Sequence, residues 1–395
     1  MITKLYYIGM YLLSLFVGLC HKKKYVIFES FPDFSGSPEK IYHELKKRDF
    51  DKKYIFIWAI DKFQRDNCAL YKTVYFWGTL NFFERLKKNF VLMNAALIID
   101  SNRYIYKIKS KTIRLHTRHG GTLKHVPEYS DAIGNVDYIL SLSDEMVKIE
   151  MEKMFSKTNL HPHNFLIFGY PNNDQLFEPV NSHTKDFLNS ITADNKTFNK
   201  IIGWMPTYRE HKNSLQNNSK FNLTFGLPLL HQSRDLDCLN DLLLKKNTLL
   251  VVMYHHAQLL HFPKLNHSNI VIISQECRNS MHISLIDLIK SFDALITDYS
   301  SIYHEYLLLN RPIALTIDDF KSYSSSTGFC FNYFDWIKGI YLNNLSDLLQ
   351  FIEDISNDID SAKDEREKVK FKIHKYIDNQ STKRVVDFLI EKNKL

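Results

Sequence analysis

Tyr25-Val26-Ile27-Phe28 is followed by Glu29-Ser30-Phe31-Pro32-Asp33-Phe34-Ser35-Gly36-Ser37-Pro38 and then by Glu39-Lys40-Ile41-Tyr42-His43-Glu44-Leu45-Lys46-Lys47. The opening apolar run is too short for a helix and shows no polar alternation, so it reads as a strand covered on both faces. The stretch after it, rich in Ser, Pro, Gly and Asp, reads as a loop, and Glu39 to Lys47 as a helix. Working outward, the same rhythm recurs. Tyr54 to Trp58, Ala95 to Ile99 (ending at Asp100-Ser101), Thr112 to His116 and Asp137 to Ser143 are further strand candidates. Such alternation predicts a doubly wound α/β domain.

Pro179 to Lys200 is polar and reads as a linker, after which a second series begins. Its strands are expected at Lys200 to Trp204, Thr248 to Met253, Ile270 to Ser274, Ala294 to Thr297 and Ile313 to Ile317, with helices over Asp237 to Lys246 and Ser284 to Phe292. Asn213 to Asn222 reads as an exposed loop and Glu353 to Leu395 as charged helical sequence. The expected fold class is therefore α/β, with two Rossmann-like domains over residues 24–180 and 198–395 facing each other across a cleft. A chain of 395 residues is long enough to bury a core in each.

Composition sets limits on class. With 28 Phe and 22 Tyr against 12 Gly, a long disordered stretch is not expected. The net charge of +7 concentrates anionic ligands, whether phosphate polymers, nucleic acid or acidic headgroups, or is a solvated excess of lysine. Cys20, Cys68, Cys238, Cys277 and Cys330 are widely spaced with no CxxC, which suggests neither a disulfide framework nor a zinc site, but free thiols in a reducing compartment. Leu5 to Leu19 is apolar and runs into His21-Lys22-Lys23-Lys24. It falls short of the roughly 20 residues a bilayer span needs and has no cleavage site. Residues 1–23 read either as a helix lying in the membrane interface with its lysines on anionic lipid, or as a buried helix of the first domain.

In open α/β sheets ligands bind beyond the carboxyl ends of the strands, and four strand ends carry polar clusters. Arg114 to His125 crowds three histidines and three basic residues around Gly120-Gly121-Thr122; glycines allow close backbone approach, and a His such as His119 can serve as a general base. Pro206-Thr207-Tyr208-Arg209 could present a hydroxyl and a guanidinium to phosphate. Tyr254-His255-His256 follows an apolar run, and adjacent side chains on a strand cannot both face inward, so one of the two histidines is a candidate functional residue and the other a bystander, with the choice between them open at this point. No HxxxH or HExxH pattern supports a metal there. Thr297-Asp298-Tyr299-Ser300-Ser301 runs from a strand straight into a helix, where Ser300 and Ser301 either cap the helix or form an anion site with its free N–H groups.

These residues resemble the CDP-glycerol:poly(glycerophosphate) glycerophosphotransferase family, the primases and polymerases of wall teichoic acid and related capsules. His119-Gly120 with Leu123-Lys124 is similar to the family's His-Gly-Thr-Pro-Leu-Lys, and Gly169-Tyr170-Pro171-Asn172-Asn173-Asp174 to its Gly-Tyr-Pro-Arg-Asn-Asp. Pro206 to Arg209 resembles Pro-Thr-aromatic-Arg, Glu29 to Asp33 the family's first loop, and Thr297 to Ser301 with Leu309-Asn310-Arg311-Pro312 is close to verbatim. The resemblance runs from Lys24 to the end, with departures: Arg118 stands where a Trp is usual, Gly121-Thr122 replaces Thr-Pro, Asn172 replaces Arg, Met253 replaces a basic residue, and Asp378-Asn379 replaces Asp-Gly.

The resemblance implies a glycosyltransferase B-type fold, with acceptor on the first domain and nucleotide on the second. It implies an enzyme that moves glycerol phosphate or ribitol phosphate from CDP-glycerol or CDP-ribitol to a lipid-pyrophosphate-linked acceptor, releasing CMP. The roles implied are catalytic for His119 and His255, binding of the donor pyrophosphate or nucleotide for Thr207, Arg209, Asp298, Ser300 and Ser301, and an acceptor-side or structural loop for Gly120, Lys124, Asn173 and Asp174. No cofactor is required, though a divalent metal is compatible, and no protein metal site is expected. Attachment is expected to be peripheral, on the anionic cytoplasmic face of the cell membrane. Glycerol against ribitol, primase against polymerase, and teichoic acid against capsule stay open. A nucleotide-sugar glycosyltransferase of the same architecture is the alternative enzyme. Binding of nucleic acid is not expected, because no RRM, KH or aromatic–basic platform is present.

Overall fold

The computed structural model describes residue 9 and residues 24–62, 70–107, 111–125, 136–191, 196–207, 225–254 and 267–393. Two compact units share the chain. One comprises Met1–His119, Pro127–Asp174 and Asp378–Leu395, the other Gly120–Val126 and Gln175–Ile377.

The first unit is built on seven parallel strands: β1 (Tyr25–Phe28), β2 (Ile55–Asp61), β3 (Thr73–Trp77), β4 (Ala95–Asp100), β5 (Ile113–His116), β6 (Tyr138–Ser141) and β7 (Phe165–Ile167). Their order is β3-β2-β1-β4-β5-β6-β7. β1 pairs in parallel with β2 on one side and β4 on the other, placing Phe28 beside both Trp58 and Ile99. Every residue of β1 is buried, as expected of a central parallel strand covered on both faces.

The second unit repeats the plan with β8 (Lys200–Trp204), β9 (Thr248–Val252), β10 (Ile270–Ile272), β11 (Ala294–Thr297), β12 (Ile313–Thr316) and β13 (Ile340–Leu342), ordered β10-β9-β8-β11-β12-β13. In both sheets the strand order reverses beside the first strand, between β1 and β4 and between β8 and β11. Such a reversal opens a crevice beyond the carboxyl ends of the two strands.

Three strands escape the apolar-run criterion for physical reasons. β3 lies at a sheet edge with alternating burial, and β7 and β13 are only three residues long. The expected linker contains a helix, Ser182–Ser190, started by Asn181 accepting the His183 N–H and packed through Thr184, Phe187 and Leu188. The units also differ from the sequence-based bounds of 24–180 and 198–395, because the last helix, Ser381–Asn393, returns to the first. Asp174 accepts the Ser381 N–H at 2.9 Å and the Thr382 N–H at 2.8 Å, capping that helix from far away in sequence. Gly169, at φ +77°, lies so close that a Cβ there would come within 2.6 Å of Ser381 Oγ. The Gly-Tyr-Pro-Asn-Asn-Asp stretch is thus the seat of the terminal helix. Among the described residues no helix is long and apolar enough to cross a membrane. Apart from Gly9, the leading segment 1–23 lies outside the described residues, as does Asn213–Asn222.

Candidate active site

At the crevice of the first unit, β1 delivers Glu29, β4 delivers Ser101 and Asn102, and β5 leads into Thr117-Arg118-His119. Glu29 is fully buried, and its Oε2 accepts the N–H groups of Ser101 and Asn102, each at 3.0 Å. The turn held in this way presents the Ser101 carbonyl to His119 Nδ1 at 3.2 Å. A carbonyl can only accept, so Nδ1 carries the proton and the neutral ring keeps its lone pair on Nε2. Desolvation lowers the pKa of His119, the Ser101 carbonyl opposes this, and the positive charge of Arg118 adds to the lowering. The imidazole is nevertheless solvent-exposed in part. A neutral imidazole with an acceptor nitrogen, on an exposed residue, is the form a general base needs.

The neighbouring charged groups are interior. Asp100, Arg114 and His116 are fully buried, with Asp100 accepting from Arg114 Nε at 2.8 Å and lying 2.7 Å from His116 Nδ1. Burial also lowers the pKa of His116. Arg118 has a positive φ of 61°, and its Nη1 meets Glu150 Oε1 at 2.5 Å.

In the second unit, Asp298 is fully buried at the end of β11. Its carboxylate accepts the Thr207 N–H at 3.0 Å to either oxygen, the Thr207 hydroxyl at 2.6 Å and the Tyr299 N–H at 2.6 Å. Asp298 and Thr207 therefore tie the loop after β8 to the loop after β11. Ser300 Oγ lies 3.4 Å from the Ile302 N–H, while Ser301, at the start of the helix Ile302–Leu307, makes no side-chain cap bond. Gly120 and Gly121 lie against that helix start: a Cβ on Gly120 would sit 2.7 Å from Ser301 Oγ, and one on Gly121 would enter the His304 ring. Lys124 forms an antiparallel bridge with Phe329, and Cys330 N–H donates to the Leu123 carbonyl at 3.0 Å. The strip after His119 is thus stitched to the second unit.

The structure gathers Gly120, Ser300 and Ser301 at one place and Thr207 with Asp298 beneath, all in the second unit. His119 stands at the crevice of the first unit. Asn173, buried, donates its N–H to the Tyr170 carbonyl at 2.8 Å, and with Asp174 belongs to the seat of the terminal helix. Arg209, His255 and His256 lie outside the described residues. Sequence reasoning did not find Glu150 or the support that Glu29 gives the Ser101 turn. Glu150 lies 32 residues from Arg118, and no local pattern links the two. Among the described residues no group of three or more His, Cys, Asp and Glu side chains could hold a metal ion.

A model of the family described as CDP-glycerol:poly(glycerophosphate) glycerophosphotransferase matches residues 10–391. The teichoic acid poly(glycerol phosphate) polymerase of Bacillus spizizenii is 24% identical over 86% of this chain and 86% of its own length. The teichoic acid glycerol-phosphate primase of Bacillus subtilis is 24% identical over 77% of this chain and 76% of its own. A solved structure of the wall teichoic acid polymerase TagF superposes with a TM-score of 0.72 at 18% identity, covering 99% of this chain and 97% of that one, a likeness of fold.

Proposed function

This chain belongs to the CDP-glycerol:poly(glycerophosphate) glycerophosphotransferase family, and on that premise we propose that it transfers a polyol phosphate from a CDP-activated donor to an acceptor hydroxyl in teichoic acid synthesis. The observation that carries the reading is the orientation of His119, whose Nδ1–H is held by the Ser101 carbonyl. The acceptor hydroxyl gives its proton to Nε2 as its oxygen attacks the phosphorus that bears the polyol. The bond from that phosphorus to the bridging oxygen breaks, and CMP leaves with the electron pair. Charge builds on the transferring group and on CMP. The hydroxyls of Ser300 and Ser301, with Arg209 and His255, are the fixed donors assigned to it. Asp298 and Thr207, which tie the two loops together, belong to the same donor-binding set in this reading.

CDP-glycerol is the first donor to test, with CDP-ribitol second, because the curated relatives above are named for glycerol phosphate. The acceptor in this reading is lipid-linked, in a teichoic acid or capsular polymer. The enzyme lies on the cytoplasmic face of the membrane, drawn to anionic lipid by its net charge of +7. No tightly held metal is required, and turnover by chelator-treated enzyme is the check. The main experiment offers the full chain CDP-glycerol, CDP-ribitol and a panel of nucleotide sugars with a lipid-linked acceptor. Product mass and the released nucleotide are then read. Release of CMP with a polyol-phosphate mass increment supports the reading; sugar transfer with release of UDP overturns it.

A further inference from the structure

We propose that the buried Arg118–Glu150 ion pair is a positioning device for His119, holding the backbone of Arg118 in the conformation from which the next side chain reaches the Ser101 carbonyl. The inference rests on the reading of His119 as the general base. Arg118 adopts φ +61°, which residues other than glycine, and to a lesser degree Asn and Asp, seldom hold without outside support. Support comes from the segment Glu150–Phe155. Glu150–Met154 is a π-helical turn that follows the helix Asp144–Ile149, closed by the Phe155 N–H on the Glu150 carbonyl at 2.9 Å. The wider turn brings three side chains to one guanidinium. Glu150 Oε1 lies 2.5 Å from Nη1, Met154 Sδ lies 3.7 Å from Nη2, and the Phe155 ring centroid lies 6.0 Å from Cζ. Arg118 and Glu150 are both buried, so this is not a surface pair that solvent would screen. π-turns inside helices are concentrated at functional sites.

The same arginine acts on the charge of the ring. Burial is the larger cause of the lowered His119 pKa, and Arg118 lowers it further. Other ionisable groups at the carboxyl ends of these strands are Glu29 beneath the Ser101 turn, Asp100 at the end of β4 with Arg114 and His116 of β5, and Glu150 itself.

The test uses the full chain with Arg118→Met, Arg118→Lys, and the double variant Arg118→Met with Glu150→Met. The double variant removes both buried charges together and so guards against unfolding by an orphaned carboxylate. His119 is titrated by NMR, its signal assigned by its loss in His119→Ala, and kcat is measured against pH with CDP-glycerol. In Arg118→Met and in the double variant, the His119 titration should move to higher pH and the acidic limb of kcat should move with it. kcat at neutral pH should fall about tenfold or more, with the donor KM little changed. Arg118→Lys keeps the charge but not the planar fork, so it should lower kcat without moving the titration. A folded double variant with an unmoved titration and wild-type kcat overturns the proposal. If the wild-type chain fails to turn over CDP-glycerol, the functional reading fails, and the proposed device is judged by the titration alone.

Discussion

His116, His119 and His125 sit in one short stretch and look equivalent as letters, yet their surroundings give them different work. His116 is sealed beside Asp100, the main-chain N–H of His125 donates to the Gly328 carbonyl at 3.3 Å, and His119, an exposed residue, has its ring held by one nitrogen. Replacing His119 with Ala should lower turnover about 10²-fold or more in a folded protein. Near-normal turnover there would remove it as the base. The sequence pointed to the stretch and the resemblance to His119 within it, while the neighbours that set the three rings apart are supplied by the fold. The two glycines after His119 are not equivalent either. A Cβ on Gly120 would meet the hydroxyl end of Ser301, which can turn away, whereas one on Gly121 would meet the ring of buried His304. Gly121→Ala should therefore destabilise the chain by about 1–3 kcal/mol, the range for overpacking, and Gly120→Ala by less. Urea midpoints of the two variants would compare them, and an equal or reversed effect would contradict this packing.

At the scale of elements, central strands were legible because each is a short run of apolar residues, and Ala294–Thr297 and Lys200–Trp204 fall where the runs stand. Three of the four edge strands were not, since Thr73–Trp77 buries only alternate residues and Phe165–Ile167 and Ile340–Leu342 are short and partly exposed, whereas the equally short Ile270–Ile272 was found from its apolar run. The compact units differ from the expected bounds for a different reason. The terminal helix has ordinary amphipathic sequence, and what ties it to the first unit are partners far away in sequence, among them Asp174 at its first turn, Arg48 on Asp387, and Tyr138 and Phe168 against Phe388. A motif that in sequence read as an acceptor-side or structural loop thus supplies a helix cap. Asp174→Ala removes both acceptors from the first turn and should destabilise the protein by about 1–2 kcal/mol, lowering the thermal midpoint while leaving donor KM unchanged. A raised donor KM with an unchanged midpoint would return Asp174 to the binding site.

Across the whole molecule, the sequence shows how many acids and bases there are but not which are buried, and burial sets how stability responds to pH. Burial is the main cause that pushes Glu29 up to about 7, the negative charge of Asp100 adding to it and the Ser101 and Asn102 N–H groups opposing, and pushes Glu305 up to about 8. Burial also pushes His374 down to about 4. An unfolded glutamate loses its proton near 4.5, so each raised glutamate contributes stability at low pH that is lost as pH climbs to the folded value. His374 has the opposite sign: an unfolded histidine takes up a proton below 6.5 while the folded one stays neutral, so stability is lost on acidification toward 4. Between pH 4.5 and 6.5 these contributions work against one another. Above 6.5 the histidine has finished and the glutamates have not, so stability should fall by about 3 kcal/mol on going to pH 8. Glu305→Gln removes the larger share of that fall, because an amide does not ionise. Urea denaturation of the wild-type chain and of Glu305→Gln at pH 6.5 and 8.5 should show a steep loss in the first and a much shallower one in the second. Parallel losses in the two proteins would mean that Glu305 is already ionised in the folded chain, and that its burial within the helix Ile302–Leu307 is relieved by solvent or by a cation.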